Sequence, residues 1–212
     1  MSVMGSPPLT ERRRAATLQD ISFAAAELFG EHGVEGTTAA DIAAAAGVSL
    51  RTFYRYFRTK EEAVAPLLST GAESWRKGLD AVSGRPLDTA VETAIKAALD
   101  PMTDPAHTAP TALTRQLLIA LDSDPEMAAV WHRVNGESEA ALRTVLARHD
   151  RGRMSTLDLR LIAAAATTSI RVALEHWAGD PDAGDPGLVA VECYRRLRGI
   201  RPTTAAIPGS RR

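Results

Sequence analysis

The stretch from Ser49 to Lys60 carries Arg51, Arg55, Arg58 and Lys60 with no acid among them, interleaved with Phe53, Tyr54, Tyr56 and Phe57. Guanidinium groups pair with guanine edges and with phosphate, while hydroxyls and phenols donate to phosphate oxygens. Arg51 and Arg55 have no acid at i,i+4 within this stretch, so helical ion pairing does not account for them. Phe53 and Phe57 are four apart and share one helical face, which suits a core. Tyr54 and Tyr56 cannot both join them there. Residue types and spacing therefore give an apolar inner side and a basic, phenolic outer side.

The surrounding residues supply the elements that would hold this helix. Thr38 and Asp41 have capping-box spacing and start a short helix that Gly47 ends, because glycine permits the positive φ of the turn. Ser49 caps the next helix, which runs to about Phe57. Ala43 is small where the two helices must approach, and Ile42, Val48, Phe53 and Phe57 are the expected core. A short helix, a glycine turn and a second helix form a helix-turn-helix. Its second helix offers Ser49, Leu50, Arg51, Thr52, Tyr54, Arg55 and Tyr56 to DNA. Thr38 and Lys60, at the ends of the flanking helices, are placed to reach the phosphate backbone. Upstream, Leu18, Ile21, Ala25, Leu28 and Phe29 fall at helical spacing before Gly33. Arg12, Arg13 and Arg14 open that helix against its dipole. They either fray into solvent or lie along phosphate or the adjacent minor groove, and the sequence alone does not choose.

The segment "TTAADIAAAAGVSLRTFYRYFRTKEEAV" resembles the DNA-binding signature of the TetR family of bacterial transcription regulators. Thr52, Tyr54 and Phe57 fill the recognition-helix positions and Lys60-Glu61 the pair that follows. Tyr56 stands where the family often has histidine, and an aromatic with a polar tip preserves a phosphate-contacting role. The specific match covers roughly residues 12–65. For residues 67–200 the resemblance implies a helical sensor domain that dimerises and binds a small molecule.

Bulk properties agree with a helical protein. Apolar residues make up 45% of the 212 and aromatics 5%, so the core must be built largely from Ala, Leu, Val and Ile. Net charge is −1, so attraction to a polyanion must be local. Cys193 is the only cysteine, which excludes an internal disulfide and paired-cysteine zinc sites. His32, His107, His132, His149 and His176 show no metal-ligand spacing, and "DPDAGD" lacks the ligands of a calcium loop, so it reads as a turn and helix cap. No nucleophile motif, phosphate loop or carboxylate pair is found. Neither a cofactor nor a metal is expected, nor is catalysis. With no signal-peptide core and no long apolar run, a cytoplasmic location is expected, away from membranes.

Beyond residue 59, Pro and Gly punctuate further helices. Thr59 and Glu62 start a fourth helix expected to run to about Val82, kinked at Pro66. Asp124-Pro125 opens a long helix to His149, Ser155 and Asp158 cap another to Gly179, and a last one ends near Gly199. Trp75, Met102, Leu118, Leu121, Trp131 and Trp177 are candidates to line a ligand pocket between helices. The last two helices are candidates for a homodimer interface, with Leu159, Ile162, Ile170 and Leu174 as the apolar seam.

The expected architecture is all-α: a helix-turn-helix DNA-binding domain at 10–58, a helical sensor and dimerisation domain at 59–200, and mobile tails at 1–9 and 201–212. The expected function is a ligand-responsive regulator, a homodimeric repressor released from a palindromic double-stranded DNA operator by a small hydrophobic or amphipathic effector. The alternative is a helical enzyme or ligand carrier with an incidental helix-turn-helix.

Overall fold

Helices account for all the regular structure among the described residues of the computed structural model, which are 9–69, 78–79, 86–99, 108–150, 152–180 and 182–199. The two expected tails lie outside these residues apart from Leu9, which starts the first helix. So do Trp75, Met102, His107 and the breaks expected after Val82 and around Pro105. The chain divides into two compact units, Met1–Leu68 and Ser69–Arg212.

The first unit is built on α1 (Leu9–His32), whose Ile21, Ala25 and Phe29 recur every four residues and are all buried. Gly33 ends it in the left-handed region, at φ 75°, with its amide donating to the Phe29 carbonyl. Next come α2 (Ala39–Ala45) and α3 (Leu50–Tyr56), both only seven residues long. α1 packs on α2, and α2 on α3.

The fourth helix departs from expectation. Glu61–Val64 is a 3-10 turn, followed by α4 (Ala65–Leu68). Pro66 is thus not an interior kink. It is the second residue of the α segment, just where the hydrogen-bond pattern changes from 3-10 to α and a missing donor costs little. Both pieces pack on α1, so the division between units falls after Leu68 rather than near residue 58. Beyond Ser69, only Gly78 and Leu79 of the helix expected to reach Val82 are described, and both are helical.

The second unit contains α5 (Leu87–Leu99), α6 (Thr108–Ala120), α7 (Pro125–Asp150), α8 (Thr156–Gly179) and α9 (Pro186–Leu197). Their starts follow local chemistry. The Asp124 carboxylate accepts from the amides of Glu126 and Met127, Ser155 from that of Asp158, and Asp185 from those of Gly187 and Leu188. α8 is the hub, packing against α6, α7 and α9 and lightly on α5. Its buried Ala163, Ala166, Ala173 and Ala178 let neighbouring backbones come close.

The seam expected from Leu159, Ile162, Ile170 and Leu174 is corrected here. Ile162, Ile170 and Leu174 are buried against the chain's own helices, and Leu159 is half-buried. The apolar residues that α8 leaves uncovered are Leu157, Leu161 and Val172, which lie within one face of the helix.

Polar anchors tie the periphery to this hub. Arg115 donates to the carbonyls of Trp177, Ala178 and Asp180, closing the C-terminus of α8, and its guanidinium lies 4.9 Å from the Trp177 ring centroid. Between α5 and α9, the Tyr194 hydroxyl donates to Asp88 at 2.7 Å, Arg198 reaches the same carboxylate at 3.1 Å, and Arg195 forks onto Glu92. No described helix is long and apolar enough to cross a membrane.

Burial, then the hydrogen bond to Asp88, raises the Tyr194 hydroxyl well above its ordinary value of 10.0. The neutral phenol is thus favoured by folding, and this stabilisation is complete below pH 10 and lost as pH rises beyond it. Tyr194→Phe should cost about 1 kcal/mol at neutral pH through the lost hydrogen bond, and should flatten the decline in stability above pH 10. Urea unfolding followed by tryptophan emission checks this, since Trp75, Trp131 and Trp177 all belong to the second unit.

Candidate nucleic-acid interface

The turn before α3 has the geometry its residues dictate. Gly47 has φ 65°, its amide donates to the Ala44 carbonyl, and the Val48 amide donates to that of Ala43. This pair of reversed hydrogen bonds satisfies carbonyls that the end of α2 would otherwise leave free. At the start of α2, the Thr38 hydroxyl accepts from the Asp41 amide, and the Asp41 carboxylate accepts from the Thr38 amide. The same carboxylate takes the Thr38 hydroxyl proton at 2.6 Å. These bonds, the hydroxyl's first, hold the Asp41 carboxyl below its ordinary value. Thr38 therefore cannot offer that proton to a phosphate without first releasing Asp41.

α3 is capped by Ser49, whose hydroxyl accepts from the Thr52 amide and lies 2.9 Å from the Thr52 hydroxyl. One proton serves that contact, which leaves the other hydroxyl proton of the pair free to donate outward. Phe53 is completely buried and Phe57 nearly so, as are Ile42 and Ala43 on α2, the helix against which α3 packs. Leu50, Arg51, Tyr54 and Arg55 are exposed, at i, i+1, i+4 and i+5, and so form one outward strip. Thr52 and Tyr56 are half-buried at its flanks. Tyr54 is fixed by an edge-on contact with Phe53, with ring centroids 5.4 Å apart. Neither Arg51 nor Arg55 has an ion-pair partner among the described residues, so the face carries two guanidiniums without a carboxylate there, beside a phenol and an apolar tip. A leucine there is suited to a thymine methyl.

Lys60 is differently employed. Its ammonium donates to the carbonyls of Val34 at 2.6 Å and Thr37 at 2.9 Å, with Glu61 3.8 Å away. Two of its three protons thus join the 3-10 turn to the loop between α1 and α2, and one is left for an outside acceptor. Glu62 accepts from the Arg58 amide at 2.9 Å, while its own amide donates to Thr59 at 3.3 Å. Sequence spacing could not have found the Lys60 contacts, because their partners lie 26 and 23 residues away. Also invisible in the sequence is the approach of the first basic run to α3: the Arg14 guanidinium carbon lies 6.0 Å from the Tyr56 ring centroid, and that of Arg55 lies 5.0 Å from it.

Of the candidate ligand-lining residues, Leu118 and Trp131 are buried in the second unit, while Leu121 and Trp177 are half-buried. The Trp131 indole N–H donates to Glu175, which Arg171 grips through both oxygens, and Trp177 carries Arg115 on its ring. These contacts gather Trp131 and Trp177 near the C-terminal end of α8. No group of three or more potential metal ligands occurs among the described residues.

A family model for bacterial regulatory proteins of the tetR family matches residues 21–65, the span that contains α2, the turn and α3. A candidate mycofactocin biosynthesis transcriptional regulator, MftR, of Mycobacterium tuberculosis is 27% identical over 169 residues, which is 80% of this chain and 83% of that one. The HTH-type transcriptional regulator TcmR of Streptomyces glaucescens is 29% identical over 152 residues, 70% of this chain and 67% of that one. Among solved structures, Thermus thermophilus FadR, a repressor in complex with lauroyl-CoA, superposes with a TM-score of 0.55 at 22% identity, over 91% of this chain and 100% of that one.

Replacing Lys60 with Met keeps the stem but strands two carbonyls. The first unit should lose about 2 kcal/mol, seen as faster amide hydrogen exchange across α2 and α3, with exchange in α7 and α8 unchanged.

Proposed function

Because the chain belongs to the TetR family of bacterial regulatory proteins, we propose that it is a homodimeric repressor whose α3 reads a palindromic operator and whose second unit takes a small hydrophobic or amphipathic effector that releases it. Both curated relatives are named as transcriptional regulators, so the chain is a DNA-binding regulator and not an enzyme. The observation that carries the operator reading is the outward strip of α3. Leu50, Arg51, Tyr54 and Arg55 stand on a helix fixed at both ends, with both guanidiniums unpaired among the described residues. Ser49, Thr52 and Tyr56 flank them, and Thr38 and Lys60 border the face with most of their donors already committed.

One short helix contacts too few base pairs for specificity, so two copies should bind half-sites about 34–36 Å apart or somewhat more. The uncovered face of α8, with Leu157 at 65% and Leu161 at 54% exposure, together with Leu188 on α9 at 58%, supports pairing through these two helices. For the effector, the support is the apolar set of Leu118, Leu121, Trp131 and Trp177, with Trp75 and Met102 as further candidates outside the described residues. A protein of this fold holds lauroyl-CoA, so the architecture has room for an amphipathic ligand. We place the protein in the cytoplasm, where chromosomal DNA is available to it.

Footprinting on the chromosomal DNA that the protein retains should show protection with twofold symmetry. Protection of one half-site by a protein that light scattering finds monomeric would overturn the dimer. Leu161→Glu should shift the light-scattering mass towards the monomer and weaken operator binding, while leaving helix content intact. Arg51→Ala should cost about 1–3 kcal/mol and relax preference at one operator position. Tyr54→Phe should instead weaken all sequences alike, as expected for a phosphate contact. Competition with single-base operator variants separates these two outcomes.

A further inference from the structure

Arg14, near the start of α1, and Arg55, in the last turn of α3, both lie within cation–π reach of the Tyr56 ring, at 6.0 Å and 5.0 Å. These arginines come from two helices 41 positions apart in sequence, and a single half-buried ring brings them together. Both are exposed, and neither has a carboxylate partner among the described residues. Their distances to one centroid keep the two guanidinium carbons within about 11 Å of each other, a separation at which like charges repel and an anion from outside eases them. The neighbouring Arg12 and Arg13 are likewise exposed and without an ion-pair partner among the described residues.

We infer that Tyr56 is a positioning residue whose ring, not its hydroxyl, seats Arg14 beside Arg55, so that the two arginines together bind duplex phosphate next to the operator bases read by α3. This rests on the DNA-binding reading above and gives it a second element, the start of α1. It gives Arg14, the last residue of the Arg12–Arg14 run, a DNA contact, and reassigns Tyr56 from a phosphate contact of its own.

The test measures how affinity for a mixed-sequence DNA duplex varies with salt in the full chain and four variants. Each phosphate contact contributes close to one unit to the slope of log affinity against log salt concentration. Arg14→Gln should reduce the slope by about 1 per protomer. Tyr56→Phe, which keeps the ring, should match the wild type. Tyr56→Leu should reduce the slope at least as much as Arg14→Gln, and adding Arg14→Gln to Tyr56→Leu should change nothing further. Equal losses from Tyr56→Phe and Tyr56→Leu would overturn the inference in favour of a hydroxyl contact. So would an additive double variant, or a Tyr56→Leu slope equal to the wild type's. Should Tyr56→Leu fail to fold by circular dichroism, Arg14→Gln and Tyr56→Phe decide: a slope reduced by about 1 in the first with a wild-type slope in the second supports the inference, and an unchanged slope in the first or a reduced one in the second overturns it. A wild-type protein with no salt-dependent DNA binding would be a different failure, that of the DNA-binding reading itself.

Discussion

A seven-residue helix has too few internal hydrogen bonds to persist alone in water, and α3 has just that length. Its existence therefore depends on what surrounds it. Ser49 satisfies an amide at its start, the Gly47 turn fixes its direction of entry, and Phe53 and Phe57 root it beneath the outward strip. Burying Phe53 completely contributes roughly 1.5–3 kcal/mol, against about 1 kcal/mol for a typical cap. What remains once this helix has been held is its outward side, which carries Leu50, Arg51, Tyr54 and Arg55.

Lys60 extends the same support. By bonding to the carbonyls of Val34 and Thr37, it ties the segment after α3 to the loop before α2, so the helix-turn-helix is closed at both ends. The second unit uses a comparable device at larger scale. Arg115 closes the C-terminus of α8, and the Tyr194, Arg195 and Arg198 contacts lock α9 onto α5. Small residues permit close approach here as well. A Cβ on Gly78 would sit 3.1 Å from the Ala94 Cα, tighter than packing allows without a shift. Both units thus combine alanine-rich contact surfaces with a few long-range cationic anchors.

Helix starts were legible in the sequence because capping is local chemistry. Thr38 with Asp41, Ser49, Asp124-Pro125, Ser155 with Asp158, and Asp185 all cap as their spacing implied. The core of the helix-turn-helix was legible for a similar reason, since Phe53 and Phe57 share a face. Periodicity, however, says that a face is apolar and not what covers it. Ile162, Ile170 and Leu174 have the spacing of a seam, yet α8 turns them towards its own neighbours and leaves Leu157, Leu161 and Val172 outside. Thr59 with Glu62 forms half of a capping box, the Thr59 hydroxyl accepting from the Glu62 amide, but the Glu62 carboxylate takes the Arg58 amide and the helix opens as a 3-10 turn. The contacts of Lys60, Arg115 and Arg14 span tens of residues, and no local pattern announces them.

The central claim is that the outward strip of α3 selects a DNA sequence while the rest of the first unit holds it in place. The most direct measurement is selection of bound duplexes from a random pool by the wild-type chain and by a chain carrying Arg51→Ala. The account predicts enrichment of a twofold-symmetric sequence by the wild type, with preference lost at one symmetric pair of positions in the variant. Enrichment of the same sequence with equal preference by both proteins, or of no sequence by the wild type, would contradict it.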